Sequence, residues 1–323
     1  MDTNNLQNGQ KKVQSLLRDR TFLTLLLAGF LITVMGMLRP DRPEGMYPKE
    51  YWATKMTWRN CADIVITGDS RAVMGVCPGE LEKVFSGTVA VNYGFPTNWY
   101  SQEYMKAVEN LLFPESKNKR IFLGISPHAL TNRTNLLGGF MEMKDYQKRD
   151  IYIDIELAAI LEFFEPMSIN EAKRGLFGNP SERINKKYFY PNGFILVHKE
   201  PCNMKEIGTY KKLFEQRQVS DKIIKNITDF TSKWKGEGIK VYGFLIPSTK
   251  EMVELEKTNS GFNKEKFETL FKQAGGIWID FDLGAYSSID GSHLQDDGAY
   301  RFSADLAKRA KEIENKFTKE AVQ

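Results

Sequence analysis

Short β-branched runs recur along this chain with helical periodicities between them, and that alternation constrains the fold more than any other feature. Asp63-Ile-Val-Ile-Thr67 ends in Gly68, Thr88-Val-Ala-Val-Asn92 follows a helical stretch from Pro78 to Phe85, and Arg120 to Ser126 is a third run. Runs of this length bounded by turn residues read as buried strands. A helix is expected from about Asn98 to Phe113, stopped by Pro114. The rhythm returns with a helix from Ser220 to Gly236 that lines up Ile223, Ile227, Phe230 and Trp234. A strand over Ile239 to Ile246, a helix over Asn263 to Ala274 and a strand over Ile277 to Phe281 follow. A last helix carries Ala299, Phe302, Leu306, Ala310, Ile313 and Phe317 at steps of three and four. Strands separated by helices imply right-handed crossovers and a parallel sheet covered on both faces. The expected class is α/β, with chemistry at the carboxyl ends of the strands, near the point where strand order reverses.

Ahead of this region, residues 21–38 contain no charged side chain. At 1.5 Å per residue the run just crosses a hydrocarbon core of about 30 Å. It shows no polar face, and Met37-Leu38-Arg39-Pro40 offers no small-x-small cleavage site. It therefore reads as one retained transmembrane helix behind a tail of residues 1–20. Lys11, Lys12, Arg18 and Arg20 precede it, whereas Arg39 and Arg42 on the far side mix with Asp41 and Glu44. That asymmetry favours the tail inside: a single-pass protein of the cell inner membrane with its large part on the extracytoplasmic side.

Residues 39–60, with Pro40, Pro43 and Pro48 among mixed charges, read as a linker, and residues 61–323 as one domain. Within it, residues 130–205 break the alternation and read as an insertion. Its Phe163, Phe164, Phe177, Tyr188, Phe189 and Tyr190 suit stacking on sugar rings from a lid. The alternative is packing, with Ile155, Ala158, Ala159, Leu161 and Phe164 as a helix face against the domain.

The net charge is only +4, from 45 basic and 41 acidic residues, and half of that excess sits in the tail. No basic stripe asks for nucleic acid. Cys61, Cys77 and Cys202 form no C-x-x-C pair, which excludes a disulfide scaffold and a zinc ribbon. One disulfide among them, or three free thiols, both remain open. Three scattered histidines supply no metal set, and no glycine-rich phosphate loop follows a strand, so no metal and no cofactor is expected.

Gly68-Asp69-Ser70 directly follows the first strand, and Asp290-Gly-Ser-His293 directly precedes the last helix. A serine hydroxyl is a poor nucleophile unless an imidazole takes its proton. That imidazole needs an acceptor on its other nitrogen, and Asp-x-x-His can supply both from one loop. A serine just after a strand also brings its own backbone N–H to the mouth of the site, where it can help stabilise an oxyanion.

With these blocks the chain resembles the SGNH/GDSL hydrolase superfamily, in its membrane-anchored branch of envelope polysaccharide acyltransferases and esterases. The resemblance implies a flavodoxin-like three-layer sandwich, with Ser70 as nucleophile, His293 as general base and Asp290 as its orienting acid. It covers residues 62–126 and 220–317 and leaves the insertion outside. The family's second block contributes an oxyanion-hole N–H; here the segment is Asn92-Tyr-Gly94-Phe-Pro-Thr97, with Gly94 or Thr97 as donor. Its third block contributes an asparagine amide, but this chain has Gly124-Ile-Ser126-Pro127, leaving the Ser126 hydroxyl as the substitute donor. His128 is expected to hydrogen-bond locally, Arg71 to pair with a nearby carboxylate, and His198 has no assigned role.

The implied function is an O-acetyltransferase or O-acetyl esterase acting on envelope or secreted polysaccharide through an acyl-serine intermediate. A transferase would draw its acyl group from a partner, such as a multi-span membrane acyltransferase. The alternatives are an anchored lipase or esterase for small esters, and a non-catalytic scaffold or glycan-binding module.

Overall fold

The computed structural model describes residues 3–37, 44–131, 139–164, 173, 177 and 184–320. The chain divides into two compact units, one of Met1–Arg42 with Leu157–Glu182 and one of Pro43–Glu156 with Arg183–Gln323. The first unit contains helix α1 (Thr3–Met37), whose Asp19–Met37 stretch is long and apolar enough to cross a membrane.

The second unit begins with β1 (Glu44–Gly45) and α2 (Pro48–Thr57). It continues through β2 (Ile64–Gly68), α3 (Ser70–Gly75), α4 (Pro78–Val84), β3 (Ala90–Asn92), α5 (Gln102–Glu109) and β4 (Arg120–Ile125). Helices α6 (Phe140–Met143) and α7 (Lys148–Glu156) follow. Helix α8 (Ala158–Phe163) belongs to the first unit. The second unit resumes with β5 (Ile184–Phe189), β6 (Ile195–Glu200), α9 (Lys205–Gln216), α10 (Asp221–Gly236) and β7 (Lys240–Leu245). It closes with α11 (Lys250–Asn259), α12 (Lys264–Gln273), β8 (Ile277–Trp278) and α13 (Asp296–Glu320).

The central sheet runs β3-β2-β4-β7-β8, every neighbouring pair parallel. Its strands are buried along nearly their whole length, as a sheet covered on both faces requires. One face packs on α5, α10 and α12 through Tyr104, Val108, Ile227, Trp234, Phe267 and Phe271. The other packs on α3, α4 and α13 through Ala72, Leu81, Phe302, Leu306 and Ala310. This is the expected three-layer α/β architecture with flavodoxin-like strand order, and the order reverses between β2 and β4.

Three expectations change. The segment read as a linker carries β1 and α2, and α2 buries Tyr51, Ala53, Lys55 and Met56. The helix expected from Asn98 starts only at Gln102, where the Ser101 hydroxyl accepts the Tyr104 N–H at 3.1 Å. Residues 95–98 are instead drawn toward β2, because the Phe95 N–H and the Asn98 side-chain amide both donate to the Gly68 carbonyl. The later part of the expected insertion folds as a β5–β6 hairpin that pairs with β1. Phe189, Ile195 and Val197 there pack against Tyr51 and Val73, so Phe189 is a core residue rather than an open stacking surface. All three cysteines are free thiols.

Candidate active site

Strand β2 must turn sharply into α3, and Gly68 makes that turn. Its φ is +152°, and a Cβ there would lie 2.6 Å from Ala72 Cβ and 2.7 Å from the Gly124 carbonyl oxygen. Asp69 then caps α3, its Oδ1 accepting the Arg71 N–H at 2.9 Å. Ser70 is the first residue of the helix and is partly exposed.

The partner loop lies between β8 and α13. The Ser288 hydroxyl donates to the His293 carbonyl at 2.8 Å and accepts the Gly291 N–H at 3.0 Å. The Ile289 N–H donates to the same carbonyl at 3.0 Å. Gly291 sits at φ +93°, which lets so short a loop close. Asp290 Oδ1 accepts the backbone N–H groups of Ser292 and His293, each at 2.9 Å. Its Oδ2 lies 2.9 Å from His293 Nδ1. An ionised carboxylate only accepts, so Nδ1 carries the proton and Nε2 is left as an acceptor. Nε2 is 2.8 Å from Ser70 Oγ. Burial pushes the Asp290 carboxyl up, but the His293 ring and the two backbone donors outweigh it and hold the group below the usual carboxylate range.

Residues 223 positions apart thus form one continuous hydrogen-bonded line, Ser70 to His293 to Asp290. Such a line can pass the serine proton to the imidazole while the carboxylate stabilises the imidazolium that results.

The expected oxyanion donors fare differently. Ser70 brings its backbone N–H to the start of α3, where the helix dipole favours negative charge. The Gly94 N–H is already spent on Asn92 Oδ1 at 2.9 Å. Gly94 serves close packing instead, since a Cβ there would meet Val73 N at 2.9 Å and Asp69 O at 3.1 Å. Ser126 is fully buried, and its hydroxyl donates to Asp69 Oδ2 with His128 Nδ1 3.1 Å away. A charged acceptor outcompetes any role as an oxyanion donor there. Thr97 is exposed at φ +52°, on the loop that Phe95 and Asn98 tie to Gly68. A cavity of about 310 Å³ opens beside Phe95, Pro96 and Thr97, walled by Trp52, Met143 and Tyr146.

Behind this hydrogen-bonded line lies a buried network that the sequence only hints at. Arg71 donates from Nη2 to Glu256 Oε1 at 2.6 Å, the expected pairing with a carboxylate. It also donates from Nε to Ser292 Oγ at 2.9 Å, and its guanidinium lies over the Tyr210 ring. Ser292 Oγ in turn donates to Tyr210 Oη at 3.1 Å. Arg71, directly after Ser70, therefore grips Ser292, directly before His293. Asp69 is held below the usual carboxylate range: burial opposes this, but His128, Arg71 and the Ser126 hydroxyl prevail. Glu256 goes the other way, because its burial outweighs the pull of Arg71. Neither Glu256 nor Tyr210 has a spacing signal in the sequence. His128 hydrogen-bonds to Ser126 as expected, and His198 pairs with Asp296 at 2.9 Å. Among the described residues no group of three or more His, Cys, Asp or Glu is placed to hold a metal.

No protein-family model matches this chain, and no curated protein does. Among solved structures, Est24, a carbohydrate acetylesterase from Sinorhizobium meliloti, is similar over 77% of this chain and 98% of its own, at 10% identity and a TM-score of 0.34.

Proposed function

We propose that this chain is a membrane-anchored serine acyl-transfer enzyme acting on ester-bearing polysaccharide outside the cytoplasmic membrane. One observation carries the reading: Ser70 Oγ stands 2.8 Å from His293 Nε2, and Asp290 holds His293 Nδ1 at 2.9 Å, at the strand-order reversal of the sheet. Ser70 attacks the ester carbonyl as its proton passes to Nε2, and the Ser70 N–H meets the developing oxyanion. The tetrahedral adduct collapses, the alcohol leaves with the proton from Nε2, and the acyl group stays on Ser70. A sugar hydroxyl or water then gives its proton to Nε2 and takes the acyl group, and Nε2 returns that proton to the departing Ser70 Oγ, which restores the free serine.

The basic tail before α1 supports an inside N-terminus and an extracytoplasmic domain, where envelope or secreted polysaccharide is the available acceptor. In the transfer direction the acyl group comes from a partner, for which a multi-span membrane acyltransferase has the required access. O-Acetyl is the acyl group this reading favours.

A second reading, a non-catalytic scaffold, draws on the commitment of the Gly94 N–H and the Ser126 hydroxyl to other partners. A serine-directed fluorophosphonate separates the two. Labelling of wild type but not of Ser70→Ala supports the enzyme; a folded wild type that takes no label supports the scaffold.

A further inference from the structure

Helix α8 carries an apolar stripe on its outer side. Leu157, Ile160, Leu161 and Phe164 stand at i, i+3, i+4 and i+7, one face of a helix. In a water-soluble helix that face turns inward. Here these side chains are 41%, 53%, 37% and 56% exposed, while Ala158 is buried.

What lies against α8 says where the stripe belongs. Within the same unit, the Phe163 ring covers Gly36 of α1, so closely that a Cβ on Gly36 would fall 2.6 Å from two ring carbons. Gly36 is buried, whereas almost every other residue of Asp19–Met37 is exposed. The apolar span ends at Met37, so Gly36 lies about 1.5 Å along the axis from its end. Phe163 therefore holds α8 at the level where hydrocarbon gives way to headgroups, a depth at which aromatic rings are favoured.

We propose that α8 is an interfacial membrane contact, its Leu157–Phe164 face lying in the headgroup region of the bilayer that α1 crosses. The proposal rests on the reading of α1 as a membrane span. Residues 157–164 hold no basic side chain and only one acid, Glu162. Insertion is thus driven by apolar burial and not by attraction to anionic lipid. The Gly36 contact sets the depth of α8, and the stripe faces the bilayer at that depth.

The test uses the full chain in phosphatidylcholine vesicles, with Cys61→Ser and Cys202→Ser leaving only the buried Cys77. An environment-sensitive fluorophore is placed in turn at Ile160→Cys, Phe164→Cys and, within the span, Phe30→Cys. Lipids carry a nitroxide either near the acyl carbonyl or at the chain end. Interfacial helices sink about 5–10 Å into the headgroup boundary, so shallow nitroxide should remove about half of the emission at 160 and 164, and more than deep nitroxide does. Replacing part of the phosphatidylcholine with phosphatidylglycerol should leave that quenching unchanged. Quenching at 30 with none at 160 and 164 overturns the proposal and leaves the span standing. Quenching at none of the three overturns the span as well.

Discussion

Arg71 and Ser292 tie the turn that carries Ser70 to the loop that carries His293. The Arg71 side chain spans from α3 to the Ser292 hydroxyl, and Ser292 sits inside the Asp290–His293 loop. Ser292→Ala removes the bridge to both Arg71 and Tyr210 at little cost in volume. It should lower kcat/KM by about ten- to a hundredfold, mostly in kcat, since one hydrogen bond to a charged group is worth about 1.5–3 kcal/mol. Steady-state kinetics on a soluble acetyl ester reads that split, and a fall expressed only in KM would contradict it. His293→Ala should lower acyl transfer by at least about 10³-fold, as loss of a general base does. Near-normal turnover in that variant would remove His293 from the mechanism. At this scale the Ser70–His293–Asp290 line was legible because its signals are local: one turn after a strand, and one i, i+3 pair. The oxyanion donors were not legible, because a donor's role depends on which acceptor comes nearest. Asn92 Oδ1 reaches the Gly94 N–H, and Asp69 takes the Ser126 hydroxyl. The first is an Asx turn, which an asparagine two residues before Gly94 does signal; the second joins residues 57 positions apart and follows from no spacing.

The β2–α3 turn works only with a glycine, since Gly68 has a positive φ and a neighbouring carbonyl where a Cβ would go. Gly68→Ala should cost about 1–3 kcal/mol of stability, visible as a lower midpoint in urea unfolding. An unchanged midpoint would show that the turn tolerates a side chain. Strand β4 and helix α13 are joined by a second charged cluster. Arg120 donates to Glu314 through Nε at 2.7 Å and Nη2 at 2.9 Å, with the Tyr242 hydroxyl at 2.7 Å and Lys240 Nζ at 3.0 Å. Burial opposes ionisation, but these donors push the Glu314 carboxyl down to about 2 from an ordinary value of 4.5. The folded value is the lower one. Glu314 therefore stabilises the fold above about pH 4.5, and that contribution is lost as pH falls toward about 2. Glu314→Gln should flatten the acid limb of the stability curve; an equally steep limb would place the acid sensitivity elsewhere. Buried strands were legible as β-branched runs and α13 as a long apolar stripe. Helix α2 was not, because its buried face includes a lysine. Burial pushes the Lys55 ammonium well down, and Lys55 is accommodated by the Gly94 carbonyl at 2.7 Å and the rings of Tyr51, Trp52 and Phe95. A polar residue satisfied in this way leaves no apolar periodicity to read.

For the molecule as a whole, the alternation of strands and helices was enough to give the three-layer architecture and the sheet's parallel sense. It left out the second sheet, β1-β5-β6, whose pairing joins residues far apart in sequence. The small positive charge fits membrane topology better than a binding role, as half of the +4 lies in the tail before the span. A reporter at the C-terminus should be active only on the extracytoplasmic side, and cytoplasmic activity would remove polysaccharide outside the membrane as the substrate. In the proposed reaction Ser70 carries the acyl group between donor and acceptor. Peptide-mapping mass spectrometry after brief exposure to an activated acetyl ester and an acid quench tests it most directly. Acetyl should appear on the peptide containing Ser70 in the wild type and be absent from that peptide in Ser70→Ala. A folded wild type with no acetyl at Ser70, or turnover undiminished in Ser70→Ala, would contradict the account.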